Sequence, residues 1–151
     1  ISHEFEGKAV LLVDDSIVRG TTSAQIVEMA RDVGARKVYF ASAAPPVRHP
    51  NVYGIDMPAV DEFIANGRSI EEINDIIGSD RLFYQTLEDL IDVTSIGPSP
   101  PERFDASCFN GEYVTQDIDA SYLETLRARR NDGAKASSAS TEVVGLHNGE
   151  A

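Results

Sequence analysis

Val10-Leu11-Leu12-Val13-Asp14-Asp15-Ser16-Ile17-Val18-Arg19-Gly20-Thr21-Thr22-Ser23 is the stretch on which the fold turns. Four uninterrupted apolar residues, entered through Lys8-Ala9, predict a buried strand that ends abruptly at two acids. Gly20 then breaks the loop. From Thr22 to Val33 the apolar residues Ile26, Met29, Ala30 and Val33 recur at helical spacing, and Gly34 stops the helix. A second apolar run, Lys37 to Ala43, is rich in strand formers and closes at Pro45-Pro46. Strand, helix, strand in this order make a β-α-β unit, so the fold class is α/β with a parallel sheet.

Further along, Val52 to Ile55 predicts a short strand or extended segment, and helices are expected at 59–65 and 70–77. The second has a capping box, Ser69 with Glu72. Leu82-Phe83-Tyr84 predicts a strand, and Thr86 caps a helix to about Val93. Gly97 to Pro101 is a break. Asn110-Gly111 predicts a tight turn, with a hairpin between Phe109 and Tyr113. Ser121 starts a last amphipathic helix, with Leu123 and Leu126 on one side. From Gly133 on, small polar residues predict a disordered tail.

At 151 residues the chain is long enough for one domain, and 42% hydrophobic with 25% charged is ordinary globular composition. The apolar runs are too short to span a bilayer, and the polar, acidic start shows no signal peptide. Cys108 is the single cysteine, which excludes an internal disulfide and fits a reducing cytoplasm. A net charge of -12 argues against a nucleic-acid partner, since no basic face is available to neutralise phosphates. It does not exclude a phosphorylated small molecule held by backbone N–H groups at one helix end. The chain begins with Ile1 and reaches strand-like sequence at Ala9, which suggests a piece of a longer protein.

The chemistry of residues 14–23 follows from what each part can offer. In open α/β sheets ligands bind beyond the carboxyl ends of the strands, where Asp14 and Asp15 fall. Gly20 permits a backbone shape closed to other residues. Thr21, Thr22 and Ser23 add hydroxyls where the free N–H groups of a helix start already favour an anion. That end suits a phosphate. The two acids would repel a phosphate, but they suit the cis-diol of a ribose, or a Mg²⁺ ion bridging that diol to a pyrophosphate. Phosphate at one end and diol with metal at the other describe a ribose 5-phosphate. Either half alone is common in proteins; the two in this order after an apolar strand are rare.

Apolar residues, two acids and a phosphate loop resemble the phosphoribosyl-pyrophosphate (PRPP) signature of type I phosphoribosyltransferases. The string Asp14 to Ser23 is similar to the version found in glutamine PRPP amidotransferases. The likeness continues through Lys37 to Pro45, Asn51 to Pro58 and Cys108 to Tyr113. The resemblance implies a partial type I phosphoribosyltransferase fold over 1–96, a C-terminal extension of turn and helix over 97–132, and the tail over 133–151. It implies a glycosyltransferase of purine biosynthesis, in which ammonia from glutamine displaces pyrophosphate from PRPP to give 5-phosphoribosylamine. It assigns PRPP binding to Asp14, Asp15, Ser16, Ile17, Val18, Arg19, Gly20, Thr21, Thr22 and Ser23, with Mg²⁺ on Asp14 and Asp15. Arg19 would aid phosphate binding or be held by local carboxylates. A homo-oligomer is expected for the full-length protein.

The family's glutaminase domain, with its N-terminal cysteine nucleophile, has no counterpart here, and neither do the upstream strands, pyrophosphate loop and closing flexible loop. No catalytic residue of the glutaminase half is therefore assigned, and the chain alone is expected to be inactive. Its sheet is expected to expose an edge and an apolar face. Some family members carry an iron–sulfur cluster with a ligand where Cys108 sits, but the other cysteines are missing, so Cys108 is expected to be a semi-buried thiol.

Two other readings share features with the chain. One is a different PRPP-binding phosphoribosyltransferase or a PRPP-sensing regulatory module. The other is a response-regulator receiver domain, which also runs apolar strand, Asp-Asp-Ser, helix, with Asp56-Met57-Pro58 as its phospho-acceptor region. Against the receiver stand the Arg-Gly-Thr-Thr-Ser loop, the spacing of Asp56, and the absence of a lysine on a late strand, since only Lys8, Lys37 and Lys135 occur. His3, His49 and His147 lack ligand spacing. Asp61-Glu62 and Glu71-Glu72 are expected on solvated helix faces, and Arg127-Ala128-Arg129-Arg130 complements a helix dipole.

Overall fold

The computed structural model describes residues 2–115 and 117–130. In chain order it contains β1 (Ala9–Asp14), α1 (Thr21–Asp32), β2 (Lys37–Ser42), α2 (Ile70–Ile77), β3 (Arg81–Tyr84), α3 (Leu87–Thr94) and α4 (Ser107–Asn110). A further helix, α5, occupies 120–130, and 3₁₀ turns lie at Ser2–Glu4 and Val60–Glu62. The strands form one parallel sheet in the order β1-β2-β3, with Asp14 opposite Ser42 and Ser42 opposite Tyr84. Two consecutive crossovers, through α1 and through α2, build it.

Both crossover helices cover the same face of the sheet. Val27 and Ala30 of α1 meet Ile73 and Ile77 of α2 over Val38, Phe40 and Leu82, and Ile17, Ile64 and Ala65 complete the cluster. Because side chains alternate along a strand, β1 gives this core only Val10 and Leu12. Leu11 and Val13 point the other way and are 58% and 69% exposed. The expectation of a fully buried β1 is therefore corrected: among the described residues β1 is an outer strand. The opposite face also carries Tyr39, Ala41 and Phe83, the last beneath the Arg81 guanidinium at 4.9 Å from its ring centre. The sheet thus shows the open edge and apolar face that its sequence implies.

The helix starts obey local rules. Ser69 accepts the N–H of Glu72, whose carboxylate accepts the N–H of Ser69 at 2.8 Å, and Gly78 ends α2 in the left-handed conformation. Thr86 caps α3 by accepting from Asp89 N–H. Four expectations need correction. Residues 59–65 form a 3₁₀ turn, Val60–Glu62, followed by further turns. Residues 52–55 form no strand. Asn110-Gly111 makes no hairpin: Asn110 ends α4 and Gly111, at φ 75°, is its cap. Asp119, one residue ahead of the helix, caps α5 by accepting from Tyr122 N–H at 2.8 Å. The expected tail over 133–151, with Lys135 and His147, lies outside the described residues.

The C-terminal segment lies against the connection after β2. Tyr113 donates to the Pro50 carbonyl, Tyr53 and Thr115 join through their hydroxyls, and Arg130 donates to the Asn51 carbonyl. Arg127 grips Asp61 with two nitrogens, at 2.6 and 3.2 Å.

Asp80, just before β3, ties the layers together. Its carboxylate accepts from Lys37 Nζ at 2.7 Å, from Val38 N–H at 2.8 Å and from Arg31 at 3.1 Å. The Lys37 bond first, then the Val38 N–H, lowers its pKa from 3.8 to about 2. A folded-state value below the ordinary one means stability that is fully present above 3.8 and is lost as pH falls through about 2. Asp80→Asn should therefore flatten the acid limb of a plot of urea midpoint against pH. An unchanged slope in the variant would remove Asp80 from that account.

Candidate functional site

Asp14 is the last residue of β1, and its carbonyl accepts the Ala43 N–H at 2.9 Å, which pins the strand end to the chain leaving β2. Asp15 follows immediately, so both acids stand at the carboxyl edge of the sheet. Asp14 Oδ1 accepts the Asp15 N–H at 3.0 Å and Asp15 Oδ1 accepts the Ser16 hydroxyl at 3.2 Å. Among the described residues neither acid is ion-paired. Each keeps a second carboxylate oxygen for a ligand or a cation.

The loop ends at Gly20, the N-cap of α1, at φ 78° and ψ -10°. No side chain caps this helix, so its first N–H groups are left to an anion. Thr21 and Thr22 are exposed beside them, and Ser23 is buried. An added Cβ on Gly20 would come within 2.2 Å of Ile64 Cδ1. Glycine is thus favoured at this position by backbone conformation, and a larger residue would also have to displace the Ile64 side chain.

One cleft of about 620 Å³ collects these groups: residues 14–16 and 18–23 line it, with Pro58. The exception among the predicted residues is Ile17, which is 1% exposed and belongs to the core. Its side chain anchors the loop instead of lining the cleft. Four other depressions on the surface lack the acid pair, so the chemistry of the lining identifies the cleft.

Asp61 and Glu62 are exposed on the 3₁₀ turn, as expected of a solvated helix face, and both carboxylates are also paired with arginines. Glu62 Oε2 forms an ion pair with Arg19 Nε at 2.8 Å, and Asp61 is held by Arg127. Arg19 is therefore held by a carboxylate, one of its two expected roles. The segment carrying Glu62 also supports the loop from below. Ile64 N–H donates to the Val18 carbonyl at 2.8 Å, and Arg48 in turn donates to the carbonyls of Ala65 and Arg68. Pro58, Glu62 and Ile64 are the residues that sequence reasoning missed. The buried triplet Phe63-Ile64-Ala65 was a signal that this stretch faces the core and not solvent.

The remaining candidates do not converge on this site. Asp56 lies in the irregular connection after β2, not at a strand end, and β3 (Arg-Leu-Phe-Tyr) carries no lysine, so the receiver arrangement is not formed. His3 is exposed, and His49 packs against Gly111 with its pKa lowered by burial and by Arg48. Cys108 is half-buried, and burial, with Asp105 adding, raises its thiol pKa. Among the described residues no group of three or more His, Cys, Asp or Glu forms a metal cage, and no helix is long and apolar enough to cross a membrane.

No family model matches the chain. Individual relatives do. An amidophosphoribosyltransferase of Escherichia coli is 58% identical over 143 residues, covering 95% of this chain and 28% of the relative. Those of Pseudomonas aeruginosa and Saccharomyces cerevisiae are 54% and 48% identical, covering 98% and 96% of the chain and 30% and 28% of the relatives. Among solved structures, glutamine PRPP amidotransferase from B. subtilis, complexed with ADP and GMP, matches with a TM-score of 0.65 and 38% identity, over 82% of this chain and 28% of that one. An allosteric regulatory enzyme of purine biosynthesis matches with a TM-score of 0.68 and 38% identity, over 84% and 28%. The chain spans about 28% of the length of these relatives, and its α/β sheet has the type I phosphoribosyltransferase fold in part. Over the stretch it shares with them, the chain is similar to amidophosphoribosyltransferases.

Proposed function

We propose that this chain supplies the PRPP ribose 5-phosphate site of an amidophosphoribosyltransferase, the enzyme that transfers glutamine-derived ammonia to PRPP in the first step of purine synthesis. The observation that carries the reading is the single cleft that joins the acid pair at the end of β1 to the uncapped start of α1. In this reading the N–H groups at the start of α1 and the Thr21 and Thr22 hydroxyls hold the 5-phosphate. Asp14 and Asp15 accept the ribose 2- and 3-hydroxyls, which fixes the sugar with C1 toward the open side. As pyrophosphate departs and positive charge grows at C1, the same carboxylates stabilise it.

The acid pair also fits Mg²⁺, a cation that keeps several waters and takes one or two carboxylates together with substrate oxygens. Held there, Mg²⁺ would neutralise charge on the leaving pyrophosphate. The ammonia-forming half is assigned to no residue here, because the chain spans only about 28% of the length of its relatives. Glutamine, a homo-oligomeric assembly and a cytoplasmic setting belong to the same proposal for the full-length protein.

Calorimetric titration of the 151-residue chain with PRPP, with and without Mg²⁺, tests the site. Saturable binding at one site, strengthened by Mg²⁺ and competed by ribose 5-phosphate, is expected. No binding by a folded chain would defeat the proposal.

A further inference from the structure

We propose that Glu62 is a positioning residue that keeps the acid pair available by holding Arg19 away from it; this rests on the reading of residues 14–23 as a PRPP site. Arg19 lines the same cleft as Asp14 and Asp15. A mobile guanidinium there has two natural partners, the carboxylates four and five residues earlier or a bound phosphate, and bidentate pairing makes either attractive. In the structure it pairs with neither acid. Its Nε is ion-paired with Glu62 Oε2 at 2.8 Å, and Asp14 and Asp15 are left without a cation partner among the described residues.

Glu62 is well placed for this task because its own position is fixed. Its other oxygen, Oε1, accepts the Ala59 N–H at 3.2 Å across the 3₁₀ turn. The next residue but one, Ile64, fastens the turn to the loop through the Val18 carbonyl at 2.8 Å. On the far side, Asp61 is clasped by Arg127 of α5 at 2.6 Å. The turn therefore meets the loop in a set register, with Glu62 facing Arg19. The Arg19–Glu62 pair is itself half-exposed, so it adds little to global stability. Its consequence is local: it decides where one positive charge rests. Released, Arg19 would settle on the acids and compete with Mg²⁺ and with the ribose hydroxyls.

The test uses Glu62→Gln, Arg19→Ala and the double variant in the full 151-residue chain. PRPP is titrated at a series of Mg²⁺ concentrations, and thermal midpoints are measured in parallel. Glu62→Gln should raise the Mg²⁺ concentration needed for half-maximal PRPP binding by about tenfold, the size of one charge-assisted contact. Its thermal midpoint should stay close to wild type. Adding Arg19→Ala should restore the Mg²⁺ requirement to within about twofold of wild type, because no guanidinium remains to compete. A turn that merely supports the loop would not be rescued in this way. No effect of Glu62→Gln, or a double variant as weak as Glu62→Gln or weaker, overturns the proposal. A wild-type chain that is folded and binds no PRPP sinks the underlying site instead.

Discussion

Replacing Asp14 and Asp15 together by asparagine is expected to abolish measurable Mg²⁺-dependent PRPP binding while leaving the fold intact. The substitution is nearly isosteric, and each asparagine carbonyl still accepts the short local bonds from Asp15 N–H and the Ser16 hydroxyl. No described cation loses a partner, because neither acid is in an ion pair. Removing two like charges side by side, in a chain of net charge -12, relieves repulsion, so the thermal midpoint should hold or rise. The ligand side loses far more. In the proposed site, two charge-assisted hydrogen bonds to the diol at about 1.5–3 kcal/mol each would correspond to an affinity loss of at least about a hundredfold. The carboxylates that fit the cation are lost with them. In a full-length relative the same pair of changes should collapse PRPP-dependent turnover while glutamine-site labelling survives. Turnover or affinity that stays at the wild-type level would refute the role given to the pair.

The part of the site that was legible in the sequence is the part that is contiguous. Strand, acids, glycine and hydroxyls follow one another from Val10 to Ser23, so spacing alone brings them to one sheet edge and one helix start. The same holds for elements set by neighbours in sequence, such as the Ser69–Glu72 box and the Thr86 cap. What escaped depends on partners distant along the chain. The stretch 59–65 has helix-compatible residues, but its turn is held by Arg48, by the Val18 carbonyl and by the Arg19–Glu62 pair, none of which has a local signature. Asp61 and Glu62 lie on a solvated face, but the two arginines that hold them, Arg127 and Arg19, come from distant parts of the chain. Asn110-Gly111 failed for a different reason. The dipeptide serves a hairpin and a helix end equally well, because both need a left-handed glycine, and the four residues of α4 are too few to show a helical period. For β1, four apolar residues in a row signalled burial on both faces, whereas the described chain supplies cover for one.

Gly20→Ala should be the most damaging single substitution in the loop, and its cost can be separated into two parts. An alanine at φ 78° carries the left-handed penalty of about 1–2 kcal/mol. Its methyl would also stand 2.2 Å from Ile64 Cδ1 and 3.2 Å from Cγ1. Ile64 has a flexible end, but it is 3% exposed and packed within the core cluster, so turning away means overpacking at about 1–3 kcal/mol. A total destabilisation of about 2–5 kcal/mol is expected, read as a lowered urea midpoint. PRPP affinity should fall with it, since in the proposed site Gly20 sets the direction of the N–H groups that would meet the phosphate. Ile64→Val removes Cδ1 and alone costs about 0.5–1.5 kcal/mol. Combined with Gly20→Ala it should cost clearly less than the two changes added, because the steric part is relieved while the conformational part stays. Strict additivity would mean that Ile64 does not limit this position. A Gly20→Ala chain with wild-type midpoint and wild-type PRPP affinity would mean that the tight turn between β1 and α1 does not grip the ligand at all.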